Sequence, residues 1–318
     1  MRSMRLIAFV LVLVTRAAVA APLDVGTSER LLVVAPHPDD ETLAAGGLVQ
    51  RVLARDGTAR VVLVTAGDGY VEAVQAETGA LRPRPEDFVA YGERRLGEAR
   101  AAIRRLGGDR VRLGVLGFPD GGLDRLLRAH WWRTDTERST TTGASRSPYR
   151  ESLARNVAYD GDDLRRELLR LLRETQPTMV ALPDPLDRHP DHRAAGLFTL
   201  MAIDDWTSEG APMPRLLAYL VHWPNWPPGW NDNRAGDPAR THALELPADL
   251  PPRDATRVAL VLSEREEKRK ADALASYASQ QEVMRGFLAA FVRRTEPFTL
   301  LTAAEVKRVG DAMEQSHR

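Results

Sequence analysis

The chain contains no cysteine. That excludes disulfides, thiolate metal ligands, a cysteine nucleophile and a lipid-modified cysteine near the N-terminus. It has no net formal charge, with 44 basic and 44 acidic side chains. Nothing in that balance offers bulk attraction to nucleic acid. Long apolar runs are missing too. The longest, Leu6 to Val14, is too short to span a bilayer as a permanent helix. Two enzyme signatures are also absent. No G-x-G-x-x-G follows the first predicted strand, which argues against a nicotinamide dinucleotide site. No G-x-S-x-G turn is present, which argues against a serine hydrolase.

What is there begins with a signal-like N-terminus. Arg2 and Arg5 form a positive region, Leu6 to Val14 an apolar one, and Ala18-Val19-Ala20 a small-x-small site. This pattern reads as a signal peptide over residues 1–20, cut after Ala20. The expected location is therefore periplasmic or extracellular, with no stable membrane anchor once the segment is removed. The remainder, 21–318, is long enough for one α/β domain with a substantial core.

Strand and helix signals alternate through that remainder. Arg30–Ala35, Arg60–Thr65, Val111–Leu116, Thr178–Leu182, Arg215–His222 and Arg257–Leu262 read as strands. Glu41–Arg55, Glu86–Leu106, Asp162–Thr175, Asp191–Thr207 and Ser263–Phe291, the last in two pieces, read as helices. Such alternation implies a Rossmann-like α/β fold, a mostly parallel sheet with helices on both faces. Ligands in these folds bind beyond the carboxyl ends of the strands. Two loop insertions stand out, one near 130–150 rich in Ser, Thr and Arg, the other near 223–237 rich in Pro, Trp and Asn.

Two clusters fall at predicted strand ends. Pro36-His37-Pro38-Asp39-Asp40-Glu41 follows the first strand and His189-Pro190-Asp191-His192 the fourth. Imidazole and carboxylate suit zinc, and three protein ligands plus one open position make a catalytic site. His37, Asp40 and His192 can supply the three, leaving Asp39 beside the open position. Either cluster alone fits equally well as an acidic helix start that complements the helix dipole. Coincidence is harder to sustain for both together.

The segment Ala35 to Leu43 followed by Gly46-Gly47, and Asp187-Arg-His-Pro-Asp-His-Arg193 followed by Gly196, resemble the two His-containing motifs of the PIG-L/LmbE deacetylase family. Arg95-x-x-Glu98-x-x-x-Ala102 and Phe118-Pro-Asp-Gly121 resemble two weaker ones. The resemblance implies a Rossmann-like fold and hydrolysis of the acetamide of N-acetylglucosamine units. It implies zinc, or another divalent metal such as Fe2+, held by His37, Asp40 and His192. It makes Asp39 the general base, His189 a polarising group or acid, and Asp191 the residue that orients His189. Arg95 and Asp120 match positions that hold sugar hydroxyls. One late motif departs from the family: in Lys270-x-x-Ala273-Leu274-x-x-Tyr277-x-Ser279-Gln280, Tyr277 stands where a histidine is usual.

The expected partner is thus an N-acetylated amino sugar or glycoconjugate, with no nucleic acid; the sequence carries no sign of oligomeric state. Asp39 would take a proton from water, and a protonated His189 would face the developing oxyanion. Two other readings use the same residues: a metal-dependent phosphoesterase, and a non-catalytic exported sugar-binding protein. The first calls for more carboxylate ligands; the second leaves Asp39 without purpose. The tryptophans of the two loops, Trp131, Trp132, Trp223, Trp226 and Trp230, read mainly as loop packing, with one or two left as sugar contacts. His130, His222, His242 and His317 carry no partner pattern and receive no role. Mass spectrometry of the protein released by its native host should find Ala21 or a near neighbour at the N-terminus. An intact Met1 in the cytosolic fraction would contradict the signal peptide.

Overall fold

The computed structural model describes residues 20–230 and 242–316. Residues 1–19 of the segment read as a signal peptide, and residues 231–237 of the Trp-rich loop, lie outside the described residues. Eight strands form one sheet: β1 (Ala21–Pro22), β2 (Arg30–Ala35), β3 (Thr58–Thr65), β4 (Val111–Phe118), β5 (Met179–Pro183), β6 (Arg215–Tyr219), β7 (Thr256–Val261) and β8 (Thr295–Leu301). Their spatial order is β1-β7-β8-β6-β5-β2-β3-β4. All pairs are parallel except the two that β8 makes, with β6 and β7.

This order explains where a site can form. From β2 the chain moves outward through β3 to β4, then returns to place β5 and β6 on the other side of β2. The reversal lies between β2 and β5, and the loops beyond these two strands diverge to opposite faces and open a crevice. Both His-containing clusters leave the sheet there.

The central strands are apolar throughout because both faces are covered. Leu31, Val33 and Ala35 of β2 join the core beneath α1 (Asp40–Ala54), α3 (Pro85–Gly107) and α7 (Glu264–Leu274). Leu32 and Val34 point the other way, into the core beneath α5 (Gly161–Thr175) and α6 (Pro190–Ser208). The period of two in the strand supplies both layers from one run of residues. The Rossmann-like, mostly parallel arrangement with helices on both faces is therefore as the sequence implied.

Four further elements have no clear sequence signal: α2 (Val71–Thr78), α4 (Leu123–Arg128), β8 and α9 (Ala303–Ser316). The strand β8 is disguised by Glu296 and Pro297 in its interior, residues that disfavour strand assignment. Glu296 is buried because it meets helix backbone. Its two oxygens accept from the Gly47 and Leu48 N–H groups of α1 at 2.7 and 2.8 Å. Lys270 Nζ, equally buried, donates to Glu296 at 2.8 Å and to the Leu43 carbonyl at 2.7 Å. A Cβ at Gly47 would lie 2.3 Å from Leu262 and 3.0 Å from Glu296. Glycine at this position lets the strand carboxylate reach the helix. The Trp-rich segment is held down by α8 (Ala278–Ala290), while in the other loop Trp131 stacks on Phe198 at 5.9 Å and 6°.

Removing one partner of a buried pair leaves the other charge uncompensated. Lys270→Met should lower the unfolding free energy by about 3–5 kcal/mol, measured by urea denaturation. A loss well below 1 kcal/mol would show that Glu296 does not depend on this lysine.

Candidate active site

The turn after β2 is built to spread its side chains. The His37 backbone N–H donates to Asp40 Oδ2 at 2.9 Å, folding the four residues back on themselves. Asp39 occupies the N-cap position of α1 with φ +120° and makes no side-chain cap hydrogen bond. That conformation is costly for a residue with a Cβ, and such strain persists where surrounding contacts impose it. Here the Asp39 N–H donates to Glu41 Oε2 at 3.1 Å. Glu41 is held in turn by the hydroxyls of Tyr277 and Thr42. Tyr277, fully buried, thus supports the turn through Glu41 and does not line the pocket. The helix-cap explanation of the acidic run fails for Asp39.

Three donor atoms converge beside it. His37 Nδ1 lies 3.2 Å from Asp40 Oδ2, His192 Nε2 lies 3.1 Å from the same oxygen, and the two imidazole nitrogens are 3.2 Å apart. Tetrahedral zinc with bonds of 2.0–2.1 Å places its ligand atoms about 3.3 Å apart. The triangle has the size such an ion requires. Its charge is suited as well. Burial disfavours the imidazolium form of His192, yet Asp40 and Asp187 outweigh it and hold the pKa at about 9. His37 is likewise raised, against burial, by Asp120, Asp191 and Asp40. Asp40 is pulled well below the usual range, against burial, by the two histidines. The local field favours positive charge, which a divalent cation supplies in place of two protons. His189 also approaches His37 and His192 closely enough to share an ion with them.

Each imidazole has a carboxylate behind it, close for His37 and at ion-pair distance for His192, the arrangement usual for metal-ligating histidines. His37 Nε2 is 3.0 Å from Asp120 Oδ1 and 3.4 Å from Asp191 Oδ2. His192 Nδ1 is 3.4 Å from Asp187 Oδ2, which accepts from the Val221 and His222 N–H groups at 2.9 and 3.0 Å. Asp187 therefore ties the end of β6 to the second cluster.

Several site residues are engaged differently from what the resemblance implied. Asp191 was to orient His189. Its carboxylate instead accepts from Gly121 and Leu123 at 2.7 and 3.0 Å, and its backbone N–H donates to His189 Nδ1 at 3.2 Å. A δ-nitrogen that accepts leaves the proton on Nε2. Burial and the positive charge of His37 and His192 depress the His189 pKa to about 2. His189 is thus a neutral donor, not an imidazolium, because the surrounding histidines already carry the positive charge. Arg95 and Asp120, expected to hold sugar hydroxyls, do line the pocket. The Asp120 carboxylate and the two terminal Arg95 nitrogens are nonetheless engaged within the protein, while Arg95 Nε has no hydrogen-bond partner among the described residues. Arg95 donates to the carbonyls of Pro38 and Gly67 at 2.6 and 2.9 Å and to Asp39 Oδ2 at 3.0 Å. Burial pushes the Asp39 carboxyl up to about 8 even with Arg95 beside it.

The residue missed in the sequence is His222. Its ring centroid lies 5.0 Å from that of His189 and 4.7 Å from that of His192, and it lines the pocket. Burial and His192 lower its pKa to about 4, so it too is neutral. Its signal was its place just past the end of β6, the strand beside β5. The pocket has a volume of about 320 Å³. Asp39, His189, His222 and Arg95 face it, with Tyr70, Met284 and Phe287 at the mouth.

Comparison with known proteins agrees with this geometry. The family described as "PIG-L: GlcNAc-PI de-N-acetylase" matches residues 32–203, more than half of the chain. A 1D-myo-inositol 2-acetamido-2-deoxy-alpha-D-glucopyranoside deacetylase of Tsukamurella paurometabola is 28% identical over 267 residues, covering 80% of this chain and 84% of that protein. The Rhodococcus jostii protein of the same name is 29% identical over 180 residues, 56% of this chain and 54% of its own. A deacetylase from the biosynthesis pathway of teicoplanin superposes with a TM-score of 0.54 at 16% identity, covering 86% of this chain and 98% of that one. The A40926 pseudoaglycone deacetylase gives 0.51 at 19%, covering 86% and 96%. These two likenesses show a shared fold. Both His-containing clusters fall within the matched segment, and the chain belongs to the PIG-L family of GlcNAc-PI de-N-acetylases.

Proposed function

We propose that this chain is a metal-dependent hydrolase that removes the N-acetyl group from an N-acetylglucosamine-type amino sugar or its conjugate, releasing acetate. The observation that carries this reading is Asp39, a buried carboxylate that caps no helix and stands beside three converging donor atoms. The family and the relatives named as amino-sugar deacetylases support the substrate class. The proposed ligands are His37 Nδ1, Asp40 Oδ2 and His192 Nε2, and the proposed ion is zinc or another divalent metal such as Fe2+.

An ion in that position supplies Lewis acidity toward the acetamide carbonyl and lowers the pKa of the attacking water. The chain's own residues do the rest. Asp39, whose ionised form Arg95 favours and a neighbouring cation would favour further, accepts the water proton and returns it to the departing amine. Arg95 fixes the Asp39 carboxylate and opposes the rise that burial imposes on its pKa. His189 Nε2–H, held by the Asp191 backbone, donates to the carbonyl oxygen as charge grows on it. A neutral imidazole suits this task because it stabilises the oxyanion without surrendering its proton. Asp120 and Asp187 hold the two ligand imidazoles in place. The chain's export is likewise a proposal: cutting after Ala20 leaves β1, which pairs with β7, at the start of the mature chain.

The deciding experiment is an amine-release assay of the mature protein against a panel of N-acetylated sugars, with and without chelator. Metal analysis should find about one divalent ion per chain. Chelation should abolish turnover and added metal should restore it. His192→Ala should lose the ion, and Asp40→Asn should bind it weakly enough that excess zinc recovers part of the activity. Full occupancy in His192→Ala would overturn the ligand assignment.

Asp39→Asn keeps the shape of the turn and removes the base. It should retain the ion while kcat falls roughly 10²–10⁴-fold. Turnover equal to wild type would remove Asp39 from the reaction. Failure of metal-loaded wild type on every acetylated sugar would favour the phosphoesterase or binding-protein reading.

A further inference from the structure

A second cavity opens directly off the catalytic pocket. Its volume is about 780 Å³, more than twice that of the pocket itself, and the two share Tyr70, His222, Met284 and Phe287 as common walls. The rest of its wall comes chiefly from the Trp-rich segment after β6 and from α8. Trp223, Trp226 and Trp230 face it on one side, Met284 and Phe287 on the other.

This wall is built, not incidental. The indole N–H of Trp223 donates to Asp249 Oδ1 and that of Trp226 to the Glu245 carbonyl, both at 2.8 Å. With these polar ends satisfied, the rings are fixed. Arg188 lies over the Trp223 ring, 4.5 Å from its centroid. Arg293 donates to the Pro228 carbonyl at 2.6 Å and ties the segment to the end of α8. A Cβ at Gly286 would lie 2.6 Å from the Trp230 carbonyl, so α8 carries a glycine where the segment crosses it. The helix departs from helical geometry at Met284, φ −141° and ψ 34°, on the partition between the two cavities.

Aromatic rings run without a break from the reacting centre to the rim. His189 packs on His222 at 5.0 Å. His222 stacks on Phe287 at 5.5 Å and 10°. Phe287 meets Trp230 edge-on at 6.1 Å and 84°. Trp230 is 38% exposed and offers the open end of this track.

We propose that the second cavity is the subsite for the aglycone, and that the group it takes is an apolar, ring-containing one attached to the amino sugar. This rests on the deacetylase reading of the adjoining pocket, which would hold the sugar and its acetamide. Stacking faces and a thioether reward an apolar ring. Along the side formed by Trp223, Trp226 and Phe287 a polyol such as inositol would meet ring faces, with the Trp223 and Trp226 indole N–H groups already engaged, and unpaired polar groups are costly to bury. Arg188, Arg285 and Glu282 line the cavity as well, so the apolar ring is expected against the tryptophan and Phe287 side.

The test compares kcat/KM for the 4-nitrophenyl glycoside of N-acetylglucosamine with that for the inositol conjugate of the same sugar. Wild type should prefer the aryl glycoside by about tenfold or more, and Trp230→Ala should cut that ratio roughly 3–10-fold, the worth of an aromatic contact. Trp132→Ala, an exposed tryptophan in the other loop, should leave the ratio as in wild type. Calorimetric titration with phenyl glucoside, which has no acetamide, reads the cavity independently of hydrolysis and should show binding that weakens in Trp230→Ala. Hydrolysis with no aryl preference and no phenyl glucoside binding would overturn the aglycone subsite and leave the deacetylase reading standing. Trp230-dependent binding of phenyl glucoside with no acetamide hydrolysed would support the apolar subsite and sink the deacetylase reading. A ratio unchanged by Trp230→Ala would also overturn the subsite.

Discussion

Negative charge concentrated beyond the ends of two adjacent strands governs this site. Asp39, Asp40, Asp120, Asp187 and Asp191 are all buried within reach of the His37 and His192 rings or of one another. Carboxylates removed from water demand compensation. Arg95 supplies part of it at Asp39, backbone N–H groups supply part at Asp187 and Asp191, and the two histidines are driven toward the cationic form to supply the rest. The same field that raises those imidazoles is what a divalent cation would satisfy. Ligand set, bracing carboxylates and the neutral state of His189 all follow from one electrostatic constraint.

That constraint needs rigid support, and the sheet provides it. Loops beyond parallel strands carry their side chains at positions set by the strand register. Beyond β2, the strained Asp39 backbone is locked by Glu41, and Glu41 by Tyr277. Beyond β5, Asp187 fixes both the His192 ring and the start of the segment leading to His222. The buried Lys270–Glu296 pair anchors α1 to β8 from below. A tyrosine at the usual histidine position thus stands outside the pocket and serves the turn that presents Asp39.

The two loops diverge in role although both carry tryptophans. Trp131 is stacked into the core against Phe198, as loop packing demands. Trp223, Trp226 and Trp230 form a wall adjoining the catalytic pocket. Composition alone offers both roles; which loop lies at the carboxyl end of β6 decides between them.

The main strands and helices through α6, the short α2 and α4 apart, were legible in the sequence because apolar period and turn residues are local properties. So were His37, Asp39, Asp40 and His192, whose types and positions after strand signals mark them without knowledge of the fold. Strand β8 was not legible, since Glu296 and Pro297 are accommodated by partners far along the chain. Nor were the actual duties of Arg95, Asp120 and Asp191, which depend on what each meets across the crevice. His222 acquires its place only when β6 pairs with β5. Sequence by itself determined which groups can ionise or bind a cation. Tertiary structure decided their charge states and contacts, because burial and neighbouring charges act through space and not along the chain.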